Sequence, residues 1–425
     1  MTLKSLIVSP ALAHLLSPQR RLQQHEHYEK RRRKRGRPAV IEYFHQGDDP
    51  YSHLMLQLLP RLHEQYAVEI KPWLVGPPPD WAAPERAMLE DWSRRDAASL
   101  ANHLGLVFAP HHEQPRAAAI TLADAALADA IDRGRFFEES PGISDALWRG
   151  GPLPSCPANG AQAAIRAGNA RRQAAGHYLG ATLFYGGEWY WGPDRLHYLA
   201  RRLQQAGLTR EGATDNPLIP PQSSPAPAGN AHDRELELHF FLSFRSPYTY
   251  LAAVRVFALA RKRNASLKLR FVLPMVMRGL PVPRAKKMYI MTDVAREASR
   301  LGIPFGRIAD PLGRPVERGY SLLPWARSEG RGEEYCLAFL RGVWAQGIDA
   351  GSDRGMRRIV ESAGLSWTGA RDHLDTDTWR AEAEANRSEM ISLGLWGVPS
   401  FRVGNTAVWG QDRLWQVDAA LRDPQ

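Results

Sequence analysis

Phe241-Leu242-Ser243-Phe244-Arg245-Ser246-Pro247-Tyr248-Thr249-Tyr250-Leu251 is a stretch in which a strand breaks into a helix. The residues before it, from Glu235, alternate charged or polar with apolar side chains and then turn wholly apolar. That pattern predicts a strand entering a sheet. Ser246 stands where a helix N-cap is expected and Pro247 where the first helical residue is expected. A hydroxyl there faces unpaired backbone N–H groups and the positive end of the helix dipole, a setting that favours a bound anion such as a thiolate. The same serine is equally well explained as a simple helix cap, so this stretch alone leaves both roles open.

Working outward, the segment order around this turn is strand 235–242, helix to about 262, strand 267–273 and helix 284–301. A helical block over 319–392, a hairpin at 400–409 and a closing helix from Asp412 follow. The N-terminal half reads the same way: a strand at 39–44, a helix to about Tyr66, a strand at 68–74, helical segments, a hairpin at 181–191 and a final helix at 197–206.

The two halves also match residue by residue. At an offset of 197, Asp49-Pro50-Tyr51-Ser52-His53-Leu54 falls on Ser246-Pro247-Tyr248-Thr249-Tyr250-Leu251. The same offset pairs Asp96 with Asp293, Gly105 with Gly302 and Phe108 with Phe305. At an offset of 218, Trp191-Gly192-Pro193-Asp194-Arg195-Leu196 falls on Trp409-Gly410-Gln411-Asp412-Arg413-Leu414. Internal repetition of this kind decides the fold before any single element does. The expected class is α/β: two tandem thioredoxin-like domains, each β-α-β, inserted helices, β-hairpin and helix, with chemistry at the first helix N-terminus. The expected boundaries are a basic arm at 1–37, a first domain at 38–206, a Pro/Gly/Ser-rich linker at 207–233 and a second domain at 234–425.

Composition narrows the function classes. A chain of 425 residues is long for a single core. No apolar run is long enough to span a bilayer. The two cysteines, Cys156 and Cys336, are distant and form no Cys-x-x-Cys pair, which argues against a disulfide framework, a cysteine zinc site or a dithiol redox motif. No metal is expected. The net charge of +10 is concentrated: residues 1–37 hold ten lysines and arginines against two acids, so the rest of the chain is nearly neutral. Leu3–Leu16 shares features with a secretion signal, but it is interrupted at Ser9-Pro10 and followed by the Lys30–Arg37 basic block, so a cytoplasmic arm is expected. Residues 20–37 could touch nucleic acid or an anionic membrane.

The second half resembles the 2-hydroxychromene-2-carboxylate isomerase family, a DsbA-like branch of the thioredoxin superfamily related to kappa-class glutathione transferases. The resemblance is carried by Phe244–Leu251, by Lys286-Lys287-Met288-Tyr289 with Asp293 and Arg296, and by Gly302-Ile303-Pro304-Phe305. It continues through Trp344-Ala345-Gln346-Gly347 and Gly394–Phe401 to Trp409–Leu414, covering nearly all of 235–420. It implies glutathione as cofactor, its sulfur held and activated by Ser246 as the catalytic residue. It further implies a cis Pro399 that exposes the Val398 backbone to the cysteinyl part, and Gln411 and Asp412 at the γ-glutamyl end. Lys286, Tyr289 and Arg245 are the expected substrate-binding residues, for a small conjugated carbonyl electrophile undergoing isomerisation or transfer. Three departures stand out: Ser243 replaces an acidic residue, Arg245 replaces an apolar one, and no asparagine precedes Pro281-Val282-Pro283. In the first half Asp49 replaces the serine, Leu89 the lysine and Ala181 the proline, so that half reads as a copy without glutathione chemistry. A non-catalytic binding or scaffold protein, docking through its basic arm, is the competing reading. The chain is expected as a monomer whose two domains mimic a dimer, or as a homodimer.

Overall fold

A strand buried along most of its length lies inside each sheet. In the computed structural model, which describes residues 10–108, 113–157, 159–213, 217–219, 236–280 and 282–423, the chain divides into two compact units. The first comprises Gln23–Pro221 with Pro283–Tyr289, the second Met1–Leu22, Gln222–Val282 and Ile290–Gln425.

The first unit takes up α1 (Pro18–Lys34) from Gln23 onward, then β1 (Val40–His45), α2 (Pro50–Gln65) and β2 (Glu69–Leu74). Four helices follow: α3 (Arg86–Leu104), α4 (Ala117–Asp132), α5 (Phe136–Arg149) and α6 (Asn159–Ala174). The hairpin β3 (Thr182–Tyr185) and β4 (Glu188–Trp191), a 3₁₀ turn at Pro193–Arg195 and α7 (Leu196–Gln205) close it. The sheet order is β2-β1-β3-β4, with β1 and β2 parallel and the other pairs antiparallel. Ile41, Leu54, Leu58, Leu183 and Leu199 are buried at its centre.

The second unit repeats this plan with β5 (Glu237–Leu242), α8 (Pro247–Lys262) and β6 (Ser266–Phe271). Its inserted helices are α9 (Arg284–Leu301, from Ile290 onward), α10 (Arg314–Ser328), α11 (Gly332–Ala345), α12 (Asp353–Ser362), α13 (Trp367–Arg371) and α14 (Trp379–Ser392). The hairpin β7 (Ser400–Val403) and β8 (Thr406–Trp409), a 3₁₀ turn at Gln411–Arg413 and α15 (Leu414–Arg422) complete it. Sheet order is β6-β5-β7-β8 with the same parallel and antiparallel senses. Phe240 stacks on Phe401 across β5 and β7 at 5.3 Å between centroids. Burying each such ring is worth about 1.5–3 kcal/mol.

Register follows the offsets seen in the sequence. Tyr43 pairs with Pro72 and Leu183 in the first sheet; Phe240 pairs with Leu269 and Phe401 in the second. Gly105 and Gly302, each following the second helix of its β-α-β-α run, share a left-handed φ of 66°. A residue with Cβ is strained in that conformation.

Two segments outside the first sheet pack against it. In the basic arm, Glu29 of α1 is buried, accepts a 2.7 Å hydrogen bond from the Tyr185 hydroxyl and pairs with Arg32. His25 meets Glu188 at 2.8 Å, and Arg33 donates to the Ala206 carbonyl. The start of the expected linker also packs: Thr209 bridges to Tyr66, and Leu218 and Ile219 are buried in the first unit's core. Residues 214–216 and 220–235 lie outside the described residues. Among the described residues no helix is long and apolar enough to cross a membrane.

Candidate functional site

The site of the second unit begins with the turn between β5 and α8. Ser246 is the N-cap of α8, with φ −93° and ψ 115°, and its hydroxyl accepts from the Thr249 N–H at 3.2 Å. Its own proton points to the Val398 carbonyl at 3.4 Å. That is a long, weak contact. Ser246 is half-buried, so its oxygen stands at the helix N-terminus within reach of solvent. The cap role and the anion-facing position therefore coexist in one side chain.

The turn is braced from below. The Ser246 N–H donates to the Ser243 carbonyl at 2.9 Å, and the Arg245 N–H to Ser243 Oγ at 3.4 Å. Tyr320, from α10, donates to the Val272 carbonyl at 2.7 Å and accepts from the Phe244 N–H at 3.3 Å. Burial raises the Tyr320 phenol, keeping it a neutral donor. Trp344 of α11 donates to the Phe244 carbonyl at 3.1 Å, and Phe244 stacks on Phe339 at 4.2 Å. Ser243, where the family resemblance leads one to expect an acid, thus serves as a neutral strut for the turn.

Opposite Ser246, the Val398–Pro399 peptide bond is cis, and the Pro399 carbonyl accepts from the Gly410 N–H at 2.9 Å. This hydrogen bond ties the strand entry to the turn that carries Gln411 and Asp412. Trp396 and Trp409 meet at 5.1 Å beside it. A Cβ at Gly397 would fall 2.5 Å from the Trp409 ring, so glycine is what lets that ring close over the backbone.

Gln411 is buried and its carbonyl and Oε1 accept from Arg255 Nη1 at 3.0 and 2.7 Å. Its amide donates to Glu297 at 3.3 Å and to Asp412. Glu297 also pairs with Arg300 at 2.9 Å. Burial pulls the Arg255 guanidinium below its ordinary value, while Asp412 nearby opposes that shift. A second strut links the helices: the Tyr248 hydroxyl donates to Asp293 at 2.7 Å, and Arg296 pairs with Asp293 at 2.6 Å.

The structure therefore gathers Ser246, Val398, Pro399, Gln411 and Asp412 along one connected set of backbone and side-chain contacts in the second unit. Arg245 is beside them but its guanidinium is held by both oxygens of Asp310 at 2.9 and 3.1 Å. Lys286 and Tyr289 are placed with the first unit. There Lys286 donates to the Ala82 carbonyl at 3.1 Å, and burial lowers its ammonium. Tyr289 is buried with Phe44, Val75 and Trp189 and meets the His177 ring edge-on at 4.6 Å. Sequence reasoning passed over Arg255, Glu297 and Asp310. Arg255 had a visible signal, as the one charged residue within the otherwise uncharged run Tyr248–Ala260. Asp310 had none, being 65 positions from its partner.

The corresponding place in the first unit is built differently. Asp49 caps α2 by accepting from the Tyr51 N–H at 3.2 Å, with φ −101° and ψ 118°. Ser52 donates to Asp49 at 3.0 Å and accepts from the Gln46 and Ala181 N–H groups at 3.2 and 3.1 Å. Burial pushes the Asp49 carboxyl up to about 7, and Asp124 likewise to about 7 with Asp48 adding to it. Ala181, where the second unit has Pro399, takes a left-handed φ of 49°. The Tyr51 hydroxyl donates to Asp96 at 2.6 Å, as Tyr248 does to Asp293. Both cysteines, Cys156 and Cys336, are free.

The family model of the DSBA-like thioredoxin domain matches residues 237–422. Those residues are a DsbA-like thioredoxin domain. Curated 2-hydroxychromene-2-carboxylate isomerases are similar to it: that of Sphingobium xenophagum is 24% identical over 196 residues, 44% of this chain and 98% of the relative. That of Pseudomonas putida is 24% identical over 190 residues, 43% of this chain and 92% of the relative. A solved structure of a 2-hydroxychromene-2-carboxylate isomerase is 22% identical, covers 44% of this chain and 94% of its own, and has a TM-score of 0.39. The DsbA-like domain holds Ser246, Val398, Pro399, Gln411 and Asp412. An isomerase or thioredoxin-like function is what these relatives support.

Proposed function

We propose that the DsbA-like domain is a glutathione-dependent isomerase or transferase acting on a small conjugated carbonyl compound. The observation that carries this reading is the Ser246 hydroxyl, held at the N-terminus of α8 with only a long contact to the Val398 carbonyl for its proton. Such a hydroxyl can donate to a sulfur anion, and the helix end adds favourable potential. The donor set fits glutathione. The Val398 backbone offers a pairing edge, and the Arg255, Gln411 and Asp412 group offers both charges for an amino acid end. When bound, glutathione would supply a nucleophilic thiolate that adds reversibly to the conjugated system. The chain's part is to hold the sulfur, orient the tripeptide and present Trp396 and Trp409 as an apolar wall.

In this reading Arg245, its charge balanced by Asp310, attracts a substrate anion only weakly, and Lys286 and Tyr289 are left out because they belong to the first unit. Absence of a cysteine at the Ser246 position separates the activity from dithiol exchange. The shared register, Tyr–Asp struts and caps support reading the first unit as a repeat of the second that has lost this chemistry. The compartment that fits the reading is one rich in reduced glutathione, the cytoplasm.

Titration calorimetry with glutathione, and turnover of conjugated keto acids with and without it, test the proposal. Binding in the millimolar range or tighter, with turnover that requires glutathione and falls on Ser246→Ala, is expected. Absence of binding at millimolar glutathione sinks it.

A further inference from the structure

Much of the chain's cationic excess gathers at and just beyond the end of one helix. Among the described residues most surface arginines are spent on neighbours: Arg327 on Glu382, Arg380 on Glu317 and Asp377, Arg357 on Glu361. The last turns of α1 and the residue pair beyond differ. Lys30, Arg31, Lys34, Arg35 and Arg37 are exposed, and no acidic side chain pairs with any of them among the described residues. Cations at a helix C-terminus gain a few tenths of a kcal/mol from the dipole, an effect confined to the last turn. That accounts for one or two of the five charges and leaves the rest of the cluster unexplained.

The opposite face of α1 fixes the cluster in place. Glu29 accepts from Tyr185, His25 meets Glu188 and Arg33 donates to the Ala206 carbonyl, all within the first unit, while Arg32 braces Glu29. Residues 30, 31, 34 and 35 follow the one- and four-residue spacing that lays side chains along one helical stripe, with about 6 Å of rise between residues four apart. Extended back toward the start of the first unit, the same stripe carries Gln23, Gln24 and His27, with Glu26 at its edge four residues before Lys30, all exposed. It holds no apolar side chain to enter a lipid surface, and a single imidazole, with no Phe, Tyr or Trp, is no platform on which a run of unpaired bases would stack. A helix-borne cationic stripe of this kind fits the regularly spaced phosphates of a duplex.

We infer that the Lys30–Arg37 face of the first unit is a docking surface for the phosphate backbone of duplex DNA, bound without sequence preference. It is independent of the glutathione reading and of the Ser246 site.

Anisotropy of a short labelled DNA duplex, titrated with the full chain at a series of salt concentrations, tests this. Five phosphate contacts predict a slope of log K against log salt of about −4.5, or a loss of ~500-fold in affinity between about 50 and 200 mM salt. The quadruple variant Lys30→Glu, Arg31→Glu, Lys34→Glu and Arg35→Glu should lose binding by at least ~100-fold while its far-ultraviolet dichroism is unchanged. Arg31→Lys with Arg35→Lys, which keeps the charge, should bind within a few-fold of the original, and Arg380→Ala should bind as the original does. Three results overturn the assignment. One is no binding at about 50 mM salt. Another is binding that the quadruple variant retains. The last is tighter binding to an RNA duplex, a single strand or phosphatidylserine vesicles than to the DNA duplex.

Discussion

The turns at 46–49 and 243–246 occupy the same place in two sheets of the same order and register, yet one satisfies itself and the other does not. In the first unit, Ser52 takes the Ala181 N–H and donates to Asp49, so hydroxyl, carboxyl and backbone close on one another. In the second, the residue opposite is Pro399, which has no N–H to give, and Thr249 accepts only a 3.4 Å contact from Ser243. The Ser246 proton is then left with the Val398 carbonyl at 3.4 Å. The difference extends to the walls. At the 197 offset Arg255 corresponds to Leu58 and Glu297 to Leu100, and at the 218 offset Gln411 corresponds to Pro193. Both units carry the Tyr–Asp strut; the second has the Arg255 network where the first has buried leucines. Residues present in only one of two equivalent frames are the better candidates for function.

The sharpest way to break this contrast is a matched pair of substitutions. Ser246→Ala should lower glutathione-dependent kcat/KM by ~10²–10³, the usual effect of losing one hydrogen-bond donor to a developing anion. Asp49→Ala should leave it unchanged in the same steady-state assay. A loss in both variants would show that the first unit shares the chemistry. Next, Arg255→Leu installs the first unit's residue and takes away the donor to the buried Gln411 carbonyl and Oε1. It should raise the KM for glutathione about tenfold and cost about 1–3 kcal/mol in denaturant unfolding, as leaving a buried acceptor unsatisfied does. An unchanged KM would remove Arg255 from the binding group. Tyr51→Phe and Tyr248→Phe should each cost about 1.5–3 kcal/mol, the value of a hydrogen bond to a charged group. A cost in only one unit would mean that the struts are not equivalent.

The last test concerns pH. The folded-state value of Asp49, about 7, is above that of an unfolded carboxyl, so the native state holds its proton more tightly. Its contribution to stability is complete below the unfolded value and is lost as pH rises through about 7. Asp49→Asn, neutral throughout, should flatten the fall in Tm between pH 5 and about 8; a fall of undiminished size would assign it to another group, Asp124 being the next.

Much of this frame was legible in the chain. Alternating apolar residues, the Ser-Pro and Asp-Pro caps and the glycines at helix ends are local signals, and α9 was expected at 284–301 and is found at Arg284–Leu301. The registers of the two sheets are related by the same constant offsets. What could not be read depends on distant partners. Nothing near Arg245 announces Asp310, and nothing near Lys286 announces the Ala82 carbonyl. Leu218 and Ile219 were obscured by the Pro/Gly/Ser composition around them, although two adjacent large apolar residues are unusual in a linker. The arm was read by its charges, and the single buried Glu29 that docks it is outnumbered in any composition count.

Trp344 ends α11, a helix of the inserted block, yet its indole N–H holds the Phe244 carbonyl in the turn that precedes Ser246. The block and the sheet consequently share their opening equilibrium. Fluctuations that release α11 also release the turn, so the amides of residues 243–246 can exchange with solvent no more slowly than those of the helix that clasps them.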